Sequence, residues 1–162
     1  MSITGALRAT IAFLILVALH FTVRPLLGWR APIDFLVIGV LIVAVRVRPG
    51  VAALIGCLVG LTADSLTPNA FGSGALALTA VAFLASWAKA VFFADNVALS
   101  ALFFFAGKWT FDVVYLVSER RVRGPELIVE LLLWSPLAAT VTAIAGIVLL
   151  LLLRPILGKS TA

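Results

Sequence analysis

Apolar residues come in long runs along this chain, separated by brief polar punctuation. Six runs predict six helical segments: Ile3–Val23, Ile33–Val45, Val51–Leu66, Phe71–Phe93, Asn96–Val117 and Leu127–Leu153. Crossing a bilayer takes about 20 apolar residues in helical form. The last three segments meet that length. The second, as a helix, is only about 20 Å long, and the third is also short. Irregular backbone at membrane depth is tolerated only where protein or a cavity covers it. Two short segments therefore predict a compact bundle with the second and third packed inward.

The connections are brief and carry turn residues. Leu27-Gly28-Trp29-Arg30-Ala31-Pro32 joins the first pair, Arg46-Val47-Arg48-Pro49-Gly50 the second, and Thr67-Pro68-Asn69 forms a tight hairpin. Ala94-Asp95-Asn96 is equally short, and Ser118–Glu126 is the longest. None is long enough for a separate domain, and nothing repeats internally. Arg8 followed by Ala9–Leu19 resembles a signal peptide. No small-x-small cleavage site follows, so an uncleaved first span is expected.

Composition fixes the class. Of 162 residues, 64% are hydrophobic and 12% charged, with a mean hydropathy of +1.24. Soluble domains are nearer half apolar and a quarter charged. The expectation is one all-α integral membrane domain over residues 1–162. A single cysteine, Cys57, excludes a disulfide framework. The net charge of +5 is scattered over segment ends, which argues against nucleic acid and for contact with lipid headgroups. With the N-terminus inside, six basic residues fall inside and five outside, so charge alone hardly decides topology.

Two places carry candidate chemistry. Ala52, Gly56, Gly60 and Asp64 recur every four residues and share one helical face of small volume, suited to close approach by another helix. Asp64 ends that face with no cation at i±3 or i±4. It is either a functional carboxylate or a turn residue, solvated or bonded to the Thr67–Asn69 turn. Lys108 and Asp112 lie one turn apart in the fifth span, as a partner-facing clasp or as internal neutralisation. Asp112 can also pair across helices. His20 reads as a hydrogen-bonding residue rather than a catalyst, and Arg24 and Arg30 as headgroup anchors. The Arg120, Arg121 and Arg123 loop reads as interfacial. One histidine rules out a His-based metal site, and no nucleophile elbow or phosphate-binding glycine loop occurs. No enzyme, cofactor or metal is expected.

Several stretches resemble the rod shape-determining MreD family of bacterial inner-membrane proteins. They are Arg30-Ala31-Pro32-Ile33-Asp34-Phe35-Leu36, Arg48-Pro49-Gly50, Gly56 through Gly60-Leu61-Thr62-Ala63-Asp64-Ser65-Leu66, and Phe71-Gly72-Ser73-Gly74-Ala75-Leu76. Asp112 has a counterpart in that family. The match is firm over residues 30 to 93. It departs where Ile33 separates Pro32 from the polar Asp34, and where Pro136 comes early in the last span.

The resemblance implies a six-helix transmembrane bundle, similar to the substrate-binding subunits of energy-coupling-factor transporters. It implies a non-enzymatic scaffold of the cell-elongation machinery in the cytoplasmic membrane, with both termini cytoplasmic. The implied partners are an MreC-like bitopic protein and, through it, RodA with its transpeptidase and MreB. Lipid is a further contact, and a homo-oligomer is left open. Candidate interaction or pocket residues are Arg30, Asp34, Gly56, Gly60, Asp64, Asn69, Gly72, Lys108 and Asp112. The alternative is a small-molecule-binding subunit of an energy-coupling-factor-type transporter, which needs an outward cavity lined with polar side chains.

Overall fold

The computed structural model describes residues 11, 14–22, 33–66, 71–89, 96–119 and 124–157, and every regular element among them is helical. Helix α1 covers 14–22. It is followed by α2 (Phe35–Ala44), α3 (Pro49–Leu66), α4 (Ser73–Trp87) and α5 (Val97–Glu119). The last helix, α6, begins at Pro125–Val129, passes through a π-helical turn at Glu130–Trp134 and continues over Ser135–Leu157.

Helix α2 is the centre of the bundle. Nine of its ten residues are buried, as expected for a helix that is apolar all round. Asp34 precedes it, and its side chain accepts from the Val37 N–H at 3.3 Å, satisfying one first-turn donor. The helix ends in a tighter turn, with Arg46 N–H donating to Val43 O at 3.0 Å. Pro49 then opens α3 at a position where its missing N–H costs nothing.

Helix α3 buries Ala52, Gly56, Gly60 and Asp64 and no other residue. That stripe lies on α4. A Cβ added at Gly56 would come within 2.8 Å of the Leu78 carbonyl carbon, and one at Gly60 within 2.7 Å of the Ala75 nitrogen. Backbone thus packs on backbone. The other α3 residues are half-buried or exposed: Val59 and Ala63 pack partly against the core, whereas Leu54 and Leu58 are exposed. The inward packing expected of the second and third segments therefore holds in full for α2 and only along one face for α3, where the small-residue stripe alone is fully buried.

The lengths also differ from expectation. Pro49 and Gly50 join α3, which reaches 18 residues and is one of three described helices long and apolar enough to cross a membrane. The others are α5 and α6. Helix α4 has 15 residues rather than a full Phe71–Phe93 span. Its start is delayed by Gly72, which at φ 95° holds a left-handed turn. Residues 90–93 of that segment lie outside the described residues.

Side-chain bonds fix the relative directions. Ser86, near the end of α4, donates to Val47 O at 2.7 Å, just beyond the end of α2. Asp64, near the end of α3, reaches the start of α4. Asp112, in the second half of α5, meets Ser135 in the first half of α6. Helices α2 and α4 thus finish at the same end of the bundle. Phe104 is fully buried against α6, where a Cβ at Gly146 would come within 2.8 Å of its ring. Gly107 is covered by the Leu41 side chain of α2.

Candidate functional site

Asp34 is 3% exposed, and several helices converge on it. One carboxylate oxygen caps α2 through Val37 and lies 3.3 Å from His20 Nδ1 of α1. The other accepts from Lys108 Nζ of α5 at 3.3 Å. The Asp34 backbone N–H donates to Thr142 Oγ1 of α6, also at 3.3 Å. One residue at the mouth of α2 therefore contacts α1, α5 and α6.

Lys108 is equally buried. Its ammonium also donates to Asp112 Oδ1, one turn along α5, and lies 4.9 Å from the centre of the Phe111 ring. Asp112 Oδ2 accepts from Ser135 Oγ at 2.9 Å. The expected i,i+4 pair is present, and it extends across helices at both ends. Removing charges from water is costly unless each finds a partner and further hydrogen bonds; here the ammonium has two carboxylates and a ring face.

Just above, the π-helical turn widens the ladder, with Ser135 N–H returning to Glu130 O. The Leu131 carbonyl in this turn accepts from Trp109 Nε1 at 3.3 Å. A π turn inside an α-helix often marks a special position. Here it brings Ser135 to Asp112 and Leu131 to Trp109.

Asp64 forms a second, separate device. It is 4% exposed, and its Oδ2 accepts from the Gly72 N–H at 2.9 Å and the Ala75 N–H at 3.0 Å. Gly72 stands at the N-cap of α4 and has no side chain to offer. The preceding helix supplies the missing acceptor, and its negative charge complements the positive end of α4. The partners are Gly72 and Ala75, beyond the Thr67–Asn69 turn.

The candidate residues therefore fall into two groups. Asp34, Lys108 and Asp112 are joined, whereas Gly56, Gly60, Asp64 and Gly72 belong to the α3–α4 hairpin. Arg30 and Asn69 lie outside the described residues, as do Arg24, Arg120, Arg121 and Arg123. Sequence reasoning did not single out Ser135 and Thr142. Their spacing of seven places them on one face of α6, a signal that was available. Among the described residues no three His, Cys, Asp or Glu side chains converge to hold a metal ion.

A cleft of about 100 Å³ opens between α2, α4 and α5, lined by Leu41, Val81, Ala85, Phe103, Gly107 and Thr110 among others. Among the described residues of this lining, Thr110 brings the only hydroxyl. Sites for small molecules usually enclose about 300–1,000 Å³ and several convergent polar groups.

Comparison of the chain with family models, with curated proteins and with solved structures gives no match.

Proposed function

We propose that this chain is a non-enzymatic scaffold of the bacterial cytoplasmic membrane, of the MreD kind, which binds an MreC-like bitopic protein and supports peptidoglycan synthesis during cell elongation. The observation that carries this reading is where the motif residues direct their polar groups. Asp34 ties together helices distant in sequence, and Asp64 with Gly72 and Gly74 fastens the α3–α4 hairpin. These residues, on which the family resemblance rests, serve the rigidity of the bundle. A rigid frame is what a scaffold presents to partners. The transporter-subunit alternative needs polar groups lining a solute cavity, and the cleft between α2, α4 and α5 is small and apolar.

The proposed topology is six spans with both termini cytoplasmic. Reporter fusions after Lys159 and within Arg120–Arg123 then give opposite signals; the same signal at both sites excludes it. For function, the chain is expressed in a rod-shaped host depleted of its own MreD. Rod shape should return, and an MreC-like protein should co-purify with the chain in detergent. Cells that stay round despite abundant, folded protein, with no such partner captured, overturn the proposal. Co-purification of transporter ATPase subunits favours the alternative.

A further inference from the structure

The end of the bundle remote from Asp34 and Asp64 is basic. The turn between α2 and α3 carries Arg46 and Arg48, and Lys89 follows the end of α4. The Ser86–Val47 hydrogen bond of 2.7 Å holds these two segments together, since Val47 lies between the arginines and Ser86 is three residues before Lys89. Three cations therefore gather where two chain segments are fastened.

No carboxylate among the described residues pairs with any of them; the ion pairs found join His20, Asp34, Lys108 and Asp112. Arg48 and Lys89 are exposed, whereas Arg46 is partly covered. That burial lowers the Arg46 guanidinium from its ordinary pKa, the sign of a charge held partly out of water without a counter-charge. Arg48 also stands just before Pro49, at the head of α3, where a capping residue would usually offer an oxygen. A guanidinium has none to offer. The positive end of α3 thus adds to the same field rather than being neutralised by the chain.

We propose that Arg46, Arg48 and Lys89 form a binding site for the phosphate of an anionic lipid headgroup. The source is a lipid because the turn joins two apolar helices, one of which, α3, is long enough to cross a membrane and exposes Val51, Leu54 and Leu58. Acyl chains lying along that face bring their headgroup to the level of the turn. A phosphodiester offers the acceptor oxygens that Arg46 and the start of α3 lack, and guanidinium groups match phosphate in two-pronged geometry. Basic pockets between membrane helices recognise headgroups in this way.

The test uses the full chain, purified in detergent and read by native mass spectrometry and thermal unfolding. Phosphatidylglycerol is added in one arm, phosphatidylcholine in a second and inorganic phosphate in a third. Phosphatidylglycerol should be retained preferentially and should raise the unfolding temperature. In the triple variant Arg46→Gln/Arg48→Gln/Lys89→Gln the preference over phosphatidylcholine should fall by about tenfold or more. The double variant Arg48→Gln/Lys89→Gln leaves the partly covered Arg46 in place and guards against misfolding; it should lose part of the preference. A folded double variant with undiminished preference overturns the proposal. Equal stabilisation by inorganic phosphate overturns the lipid as the source.

Discussion

Asp64 and Gly74 compete for the same space: a Cβ built on Gly74 would collide with the Asp64 carboxylate that caps α4. The glycine is therefore required by a side chain ten positions earlier rather than by its own backbone. Gly74→Ala should push the carboxylate off the Gly72 and Ala75 amides and cost about 2 kcal/mol, the loss of a charged cap. Asp64→Leu should cost at least as much, whereas Asp64→Asn, which keeps an acceptor, should cost less. Thermal unfolding in detergent gives the order. A Gly74→Ala protein as stable as the parent would mean that the cap contributes nothing.

The α3–α4 contact predicts a sharp asymmetry along one helix. Gly56→Leu and Gly60→Leu place side chains against the backbone of Leu78 and Ala75, which cannot yield without separating the helices. Each should cost about 3 kcal/mol, at the upper range for overpacking, and should reduce the folded fraction on size-exclusion chromatography. Leu58→Phe, on the exposed side at 57% accessibility, should leave that fraction unchanged. Equal losses at all three positions would contradict the assignment of the packed face.

Lys108 is the common partner of two carboxylates, so its removal affects both. Lys108→Met should destabilise the bundle by about 3–5 kcal/mol, the usual result of orphaning buried charge. Adding Asp112→Asn to that variant should restore part of the loss, since the double change removes one orphaned charge. A double-mutant cycle on unfolding temperature measures this coupling. Strict additivity of the two changes would show that the pair does not interact.

The stripe Ala52, Gly56, Gly60, Asp64 was legible in the sequence because a helix repeats its faces every four residues. The Lys108–Asp112 pair was legible for the same reason. What these residues meet was not. The amides capped by Asp64 lie across a hairpin, and their availability depends on Gly72 adopting a positive φ. Asp34 joins Lys108 across 74 positions and Thr142 across 108, so its role depends on how whole helices pack. The shortness of the second segment was visible, and its central place followed. The same inference held along only one face of α3, where Pro49 lengthens the helix and a stripe alone is fully buried. Nothing in Glu130-Leu-Leu-Leu-Trp134 announces a π turn, since the bonds that accompany it, from Trp109 and to Asp112, reach α5.

Those two bonds can be removed singly. Ser135→Ala deletes the donor to Asp112 and should cost about 1.5 kcal/mol, as for a hydrogen bond to a charged group. Trp109→Phe keeps the ring bulk but loses the donor to Leu131 and should cost about 1 kcal/mol. Chemical unfolding of the purified protein separates these values from the larger loss expected at Lys108. A change at Ser135 as large as that at Lys108 would indicate that the hydroxyl, not the ammonium, organises Asp112.

Helix α2 also has a bearing on how the chain is built into the membrane. It has ten residues, too few to cross on its own, and two of the groups that meet Asp34, Lys108 at its carboxylate and Thr142 at its backbone N–H, emerge from the ribosome much later. During synthesis, a nascent chain stopped before residue 108 holds this central segment without its Lys108 and Thr142 partners. Its final seating is therefore a post-insertion event, governed by the arrival of the C-terminal helices. Ribosome-arrested chains ending near residue 96 should leave Asp34 accessible to protease or chemical labelling, and chains carrying α5 and α6 should protect it. The helix at the heart of the bundle is among the first to be translated and among the last to be secured.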